Sequence, residues 1–186
     1  MTDRVPDRPE GEPLVASADE RLRWIRSRMR LLASVRESFE VRQPFAGMTI
    51  GVGLHTEPKT VVLLETLAAG GARVIGTGNH GSTQDDMVAW LARRGITIFG
   101  KRDDTLDEHR ANLLRTLDAE PDILLDNGAD LAALAIERRQ AGRLLGGTEE
   151  TTSGATTPRE IYREAVTFPA IVINDSPGFV AQRAVA

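Results

Sequence analysis

Apolar residues along this 186-residue chain follow two different periods, and the change from one to the other divides it. Leu22, Ile25, Met29, Leu32 and Phe39 recur at spacings of three, four and seven, the repeat of one face of an α-helix. Arg21, Arg23, Arg26, Arg28 and Arg30 populate the other faces and read as a solvated surface. Ser17-Ala18-Asp19-Glu20 has the form of a capping box, a hydroxyl followed three residues later by a carboxylate, so one long amphipathic helix is predicted from Ser17. The residues before it, MTDRVPDRPEGEP, are charged, carry Pro6, Pro9 and Pro13, and hold almost nothing apolar. Such a segment cannot offset the entropy of ordering, so residues 1–16 are expected to form a disordered tail ahead of a single domain over 17–186.

From Met48 onward the pattern changes to short apolar or β-branched runs that end in Gly, polar or acidic residues, each followed by a helical stretch. The predicted strands are Thr49–Leu54, Arg73–Thr77, Ile96–Phe99, Ile123–Leu125, Leu144–Leu145 and Ala170–Ile173. Helices are predicted at Thr60–Ala69, Thr83–Arg94, Leu106–Leu117, Leu131–Gln140 and Pro158–Ala165. Strands alternating with helices across short connections imply an α/β fold: a Rossmann-like, doubly wound, mostly parallel sheet with flanking helices and a long N-terminal helix.

Ligands of an open parallel sheet bind beyond the carboxyl ends of its strands. Those ends carry His55, Glu57 and Lys59, then Asn79, His80, Ser82, Thr83, Gln84 and Asp85, then Asp126, Asn127 and Asp130. Later ends add Thr148, Glu149, Glu150, Thr151 and Thr152, and finally Asn174, Asp175 and Ser176. This supply of hydroxyls, amides and carboxylates points to a cleft for a polar ligand, with Glu57, Asn79, Thr83, Gln84, Asn127, Thr151, Asn174 and Asp175 as its binding candidates. For Ser82, Thr83, Asp130 and Thr157, helix capping is an equal alternative. Gly76-Thr77-Gly78-Asn79-His80-Gly81 spells G-x-G-x-x-G after a strand, yet Asp85 and Asp86 follow where a pyrophosphate would need positive potential, so a chance match is the better reading.

Composition narrows the classes further. Twenty-seven acidic against 23 basic residues leave a net charge of −4, which disfavours nucleic acid as a partner. Absence of Cys excludes disulfides, thiolate metal sites and thiol nucleophiles. His55, His80 and His109 show no ligand spacing, so no metal is implied. Without a long uncharged apolar run or a leader-like start, the chain is expected to be cytoplasmic, with no membrane partner.

The same loops resemble the substrate-binding domain of the S-adenosyl-L-homocysteine hydrolase family over most of the chain. Matching segments are Leu54-His55 with Thr60–Leu67 (TVVLLETL), Asn79 with Ser82–Asp85 (STQD), Asp126–Leu131 (DNGADL), Glu149–Gly154 (EETTSG), and Phe168–Ala170 with Asn174–Ser176 (FPA, NDS). In that family a tightly held NAD oxidises the ribose 3′-hydroxyl, which acidifies the 4′ proton and permits loss of homocysteine. The resemblance implies that His55 is an acid/base group beside the 4′ and 5′ carbons, a role an imidazole can fill near neutral pH. It implies that Glu150 binds ribose hydroxyls and that Thr151 and Asn79 are polar pocket residues.

Departures from the family are as informative. Phe179 and Arg183 stand where the family has the lysine and aspartate that activate the 3′-hydroxyl, and Asn127 replaces an aspartate. A neutral ring cannot supply an ammonium, and an amide cannot act as a general base. Glu57-Pro58-Lys59 replaces the pattern that reads adenine, and the chain ends at Ala186, where the family continues into its NAD-binding half. No cofactor is therefore expected. The leading expectation is a cofactor-free acid/base enzyme (elimination, isomerisation or cyclisation) acting on a small polar or nucleoside-like molecule in specialised metabolism, with His55, Glu150 and Asp126 carrying the proton transfers. A non-catalytic binder of S-adenosylhomocysteine or adenosine, and one half of a split NAD-dependent hydrolase, are the alternatives. Phe179, Val180 and the face of the long helix are expected to meet a second copy in a homodimer, or a separate partner chain.

Overall fold

Apolar runs of four to six residues between amphipathic stretches fold as their periods demand. The computed structural model describes residues 12–154 and 167–175. Over these the order is α1 (Glu12–Arg28), α2 (Arg30–Arg42), β1 (Thr49–Leu54), α3 (Pro58–Ala69), β2 (Arg73–Gly78), α4 (Asp85–Ala92), β3 (Thr97–Phe99), α5 (Leu106–Asp118), β4 (Ile123–Asp126), α6 (Asp130–Glu137), β5 (Gly146–Glu149) and β6 (Ala170–Val172). The strands form one sheet in the order β3-β2-β1-β4-β5-β6, with every neighbouring pair parallel. This is the doubly wound arrangement, and its order reverses between β1 and β4.

Alternation along each strand feeds two cores. Ile50, Val52, Leu54 and Val74 pack with Val61, Leu64, Met87, Trp90 and Leu91 of α3 and α4 on one face. Leu124 points to the other face, with Leu113 and Leu117 of α5 and Leu131 and Leu134 of α6. Gly51 and Gly53 of β1 also face that second side, where a Cβ on Gly53 would lie 3.1 Å from Leu131 Cδ1. The missing side chains let α6 lie close against the sheet at the switch point.

Two corrections concern the N-terminal region. Helix α1 covers Glu12–Arg28, so Ser17 lies inside it rather than at an N-cap. The single long helix is two, because Met29 leaves helical geometry at φ −95° and ψ 56°. The break lets α1 pack on α3 and α4 while α2 packs on α3. The apolar stripe itself holds: Leu22 is fully buried, and Ile25, Met29, Leu32 and Phe39 pack against the same core. Nor are all the arginines merely solvated, since Arg21 pairs with Asp86 at 2.6 Å and Arg26 with Glu65 at 2.7 Å. Asp19 accepts the indole N–H of the fully buried Trp90 at 2.6 Å, which fastens α1 to α4.

Strand β5 is also displaced, running over Gly146–Glu149 rather than Leu144–Leu145. Paired glycines suggest a turn in sequence, but Gly147 lies so close to Leu124 that a Cβ would stand 3.2 Å from its carbonyl oxygen. The predicted helix Pro158–Ala165, and Thr157, Ser176, Phe179, Val180 and Arg183, lie outside the described residues. Trp24, Leu31 and Val41 are exposed on α1 and α2. Among the described residues no helix is long and apolar enough to cross a membrane.

Candidate functional site

Registers of the parallel pairs place Thr77, Gly53, Asp126 and Glu149 in one row across β2, β1, β4 and β5. Residues just past this row emerge together on the carboxyl edge. His55 leaves β1, Asn79 leaves β2, Asn127 leaves β4 and Glu150 leaves β5, so the four share the switch-point edge. Asn79 Nδ2 donates to Asn127 Oδ1 at 3.4 Å, and Asn127 Nδ2 donates to Glu150 Oε2 at 2.9 Å. On the β1 side, His55 Nδ1 lies 2.5 Å from Ser82 Oγ, which also approaches the Asn79 carbonyl at 3.2 Å. A continuous polar row thus joins an exposed imidazole to an exposed carboxylate across four strand ends.

The row rests on two buried carboxylates at the strand ends. Asp126 turns inward: it accepts the amides of Asn127 at 3.0 Å, Leu131 at 3.3 Å and Ala132 at 2.8 Å, capping α6 from below. Burial pushes its carboxyl up to about 7, the amides of Ala132 and Leu131 opposing and the nearby Glu149 charge adding to the rise. This geometry makes Asp126 a support of the loop, not a group facing a ligand, and it supplies the side-chain cap of α6 for which Asp130 was one candidate. Glu149, missing from the sequence-based candidates, accepts the amides of Gly128 at 3.1 Å and Ala129 at 2.9 Å. Both residues have left-handed backbones, φ 83° and 63°, so their N–H groups converge on the carboxylate as a nest. The signal was there to be read: a carboxylate ending one strand opposite an Asn-Gly-Ala turn ending the next.

Other candidates fall into two groups. Thr151 donates its hydroxyl to Glu149 at 2.7 Å and accepts the Gly154 amide at 2.9 Å, so its oxygen holds the loop behind Glu150. Thr83 is fully buried and donates to the Asn79 carbonyl at 2.7 Å, serving neither as a cap nor as an exposed contact. Gln84 accepts from the Arg21 guanidinium, toward α1 and away from the row. Glu57 precedes Pro58 at the start of α3, with Lys59 Nζ 3.7 Å away. Asn174 donates to Thr152, while of Asp175 only the backbone is described, in a short 3-10 turn.

The glycine fingerprint has an internal explanation. A Cβ at Gly76 would run into Val52 of β1, and one at Gly78 into the hydroxyls of Thr83 and Thr56. The amides that a pyrophosphate would need are already used, Gly81 N by the Arg102 carbonyl at 2.8 Å and Thr83 N by Asn79 at 3.1 Å. The loop does not fit a dinucleotide. Gly76→Ala is accordingly expected to lower folding stability by about 3 kcal/mol in denaturant titration, because a backbone clash cannot relax. Intact stability would show that the glycine is not needed for packing.

The S-adenosyl-L-homocysteine hydrolase family model matches residues 16–144. S-inosyl-L-homocysteine hydrolases from Methanococcus maripaludis and Methanopyrus kandleri are 40% and 42% identical, each over 88% of this chain. The adenosylhomocysteinase of Thermococcus kodakarensis is 37% identical over 88% of this chain. The chain spans about 40% of the length of these curated relatives. It belongs to the S-adenosyl-L-homocysteine hydrolase family.

Proposed function

We propose that the switch-point edge binds a nucleoside joined through a thioether to an amino acid, or a small polar molecule of that kind, and that His55 exchanges a proton with it without a redox cofactor. The polar row from His55 through Asn79 and Asn127 to Glu150 carries this reading. Ribose hydroxyls both donate and accept. Glu150 accepts such protons, the amides of Asn79 and Asn127 can do either, and the imidazole stands at the other end of the row. S-Inosyl- and S-adenosyl-homocysteine, named for the relatives, define the substrate class to try first. Phe179, Arg183 and Asn127 support chemistry without 3′-oxidation, since none supplies the ammonium or carboxylate of the family pattern.

Calorimetric titration with S-inosyl-L-homocysteine, S-adenosyl-L-homocysteine and their nucleosides, followed by mass spectrometry of each ligand after incubation in deuterated water and return to ordinary water, so that only deuterium bound to carbon is counted, tests the proposal. Saturable binding with deuterium uptake or conversion is expected; no binding of any of the four would overturn it. Glu150→Gln should weaken binding about 10- to 100-fold, the usual loss for a hydrogen bond to a charged acceptor. An unchanged affinity removes Glu150 from the site.

One observation favours a second reading. Asn127 commits both ends of its amide to neighbours and cannot take up a proton, as suits a binder that leaves its ligand intact. Binding without deuterium uptake would select it. Conversion only after addition of NAD and a separate NAD-binding chain would select a split hydrolase. In either case the exposed Trp24, Leu31 and Val41 are the proposed contact with a second copy or partner chain.

A further inference from the structure

The imidazole of His55 is useful for proton transfer only if the nitrogen facing the ligand carries the right number of protons, and its neighbour decides that. Ser82 Oγ sits between two groups: His55 Nδ1 at 2.5 Å and the Asn79 carbonyl oxygen at 3.2 Å. A hydroxyl has one proton to give, and a carbonyl can only accept. If Ser82 gave its proton to Nδ1, its lone pairs would face those of the carbonyl at 3.2 Å. If it gives the proton to the carbonyl and accepts Nδ1–H, both contacts become hydrogen bonds.

We infer that Ser82 is the positioning residue of His55, holding Nδ1 protonated so that the neutral ring presents the Nε2 lone pair to the ligand. The inference deepens the proposed function and rests on it. The arrangement suits a proton acceptor: when Nε2 takes up a proton, Nδ1–H and the Ser82 hydroxyl stay as they are, and nothing has to turn. The loop is built to hold Ser82 there. Gly81, at φ 75°, donates its amide to the Arg102 carbonyl at 2.8 Å, and the Gln84 amide donates to the Thr56 carbonyl at 3.0 Å, tying the loop to the residue after His55. Thr60 Oγ1 donates to the His55 carbonyl at 2.6 Å and fixes the other side of the ring's backbone. The motif Ser-Thr-Gln-Asp therefore contributes to the site through Ser82, while Thr83 and Gln84 bind inward and toward α1.

The test reads the tautomer directly. Long-range proton–nitrogen correlation spectra of the ¹⁵N-labelled full chain, at a pH where the rings are neutral, distinguish a protonated ring nitrogen from a bare one; His55→Gln identifies which signals belong to His55. The expected spectrum has Nδ1 protonated and Nε2 bare. Ser82→Ala should shift His55 toward the Nε2–H form that free imidazole favours, and Ser82→Thr should restore the original. An Nε2–H form in the unaltered protein overturns the inference even if Ser82→Ala fails to fold, and so does a Ser82→Ala spectrum identical to that of the unaltered protein. Where turnover is found, Ser82→Ala should lower kcat about 10- to 100-fold with KM little changed, as outer partners of acid/base groups do, with recovery in Ser82→Thr. A full rate in Ser82→Ala would also overturn it. The spectra need no substrate, so an active His55→Gln variant would remove the proposed function while leaving the tautomer result to stand or fall alone.

Discussion

His55→Gln should abolish proton exchange with the bound nucleoside thioether, lowering the rate by about 10²- to 10⁴-fold, the usual contribution of a positioned acid/base group. Glutamine keeps a polar side chain of similar reach and cannot take up a proton near neutral pH. The ring is exposed and takes no part in either apolar core, so the fold should not register its loss. Deuterium uptake and thermal melting measured side by side separate the two effects. A variant that exchanges normally would remove His55 from its role, whereas a lowered melting point would assign it to structure.

Asp126→Ala should cost about 3 kcal/mol of stability, because the amides of Asn127 in the turn after β4 and of Leu131 and Ala132 in the first turn of α6 lose their acceptor together. The titration of this carboxyl adds a second signature. Raised from 3.8 to about 7 chiefly by burial, it keeps its proton in the folded chain over a range where the unfolded chain has released it. Folding then takes up a proton. The contribution to stability is complete below about pH 4, declines as pH rises, and has been lost above about 7. Asp126→Asn carries no titrating group there and serves as the reference. Between pH 5 and pH 8 the advantage of the native protein over this variant should shrink by about 2.5 kcal/mol in denaturant titrations. A constant difference would mean that the carboxylate stays ionised in the fold.

Both predictions hang on groups at neighbouring strand ends, Asp126 within the last row of the sheet and His55 just past it, yet sequence distinguished them poorly. His55 and Asp126 each follow or end an apolar strand, and each resembled a family position. Their fates differ because the last residue of β4 is still inside the sheet, flanked by Gly53 and Glu149, while His55 has already left β1. An error of one position at a strand end exchanges a ligand-facing side chain for a buried one. Thr151 and Thr83 bond inward for a related reason: short hydroxyls beside free backbone groups satisfy those groups first. Glu149 reads in sequence as one polar strand end among several, because its partners, Gly128 and Ala129, are backbone donors that leave no side-chain signature.

What the chain determined locally is substantial. Periods of apolar residues place four of the six described helices, α3 to α6, and five of the six described strands near their observed bounds, and the alternation of the two dictates a parallel sheet with both faces covered, since neither element can bury its apolar side alone. Only the tertiary structure decided where the N-terminal helix breaks, which glycines belong to a strand, and which polar strand ends face outward. Those outcomes depend on neighbours distant in sequence: a Val52 that leaves no room at Gly76, a Leu124 carbonyl beside Gly147, a nest on β4's loop that captures a carboxylate from β5. Burial and hydrogen bonding between such partners set each group's role, and no local pattern encodes them.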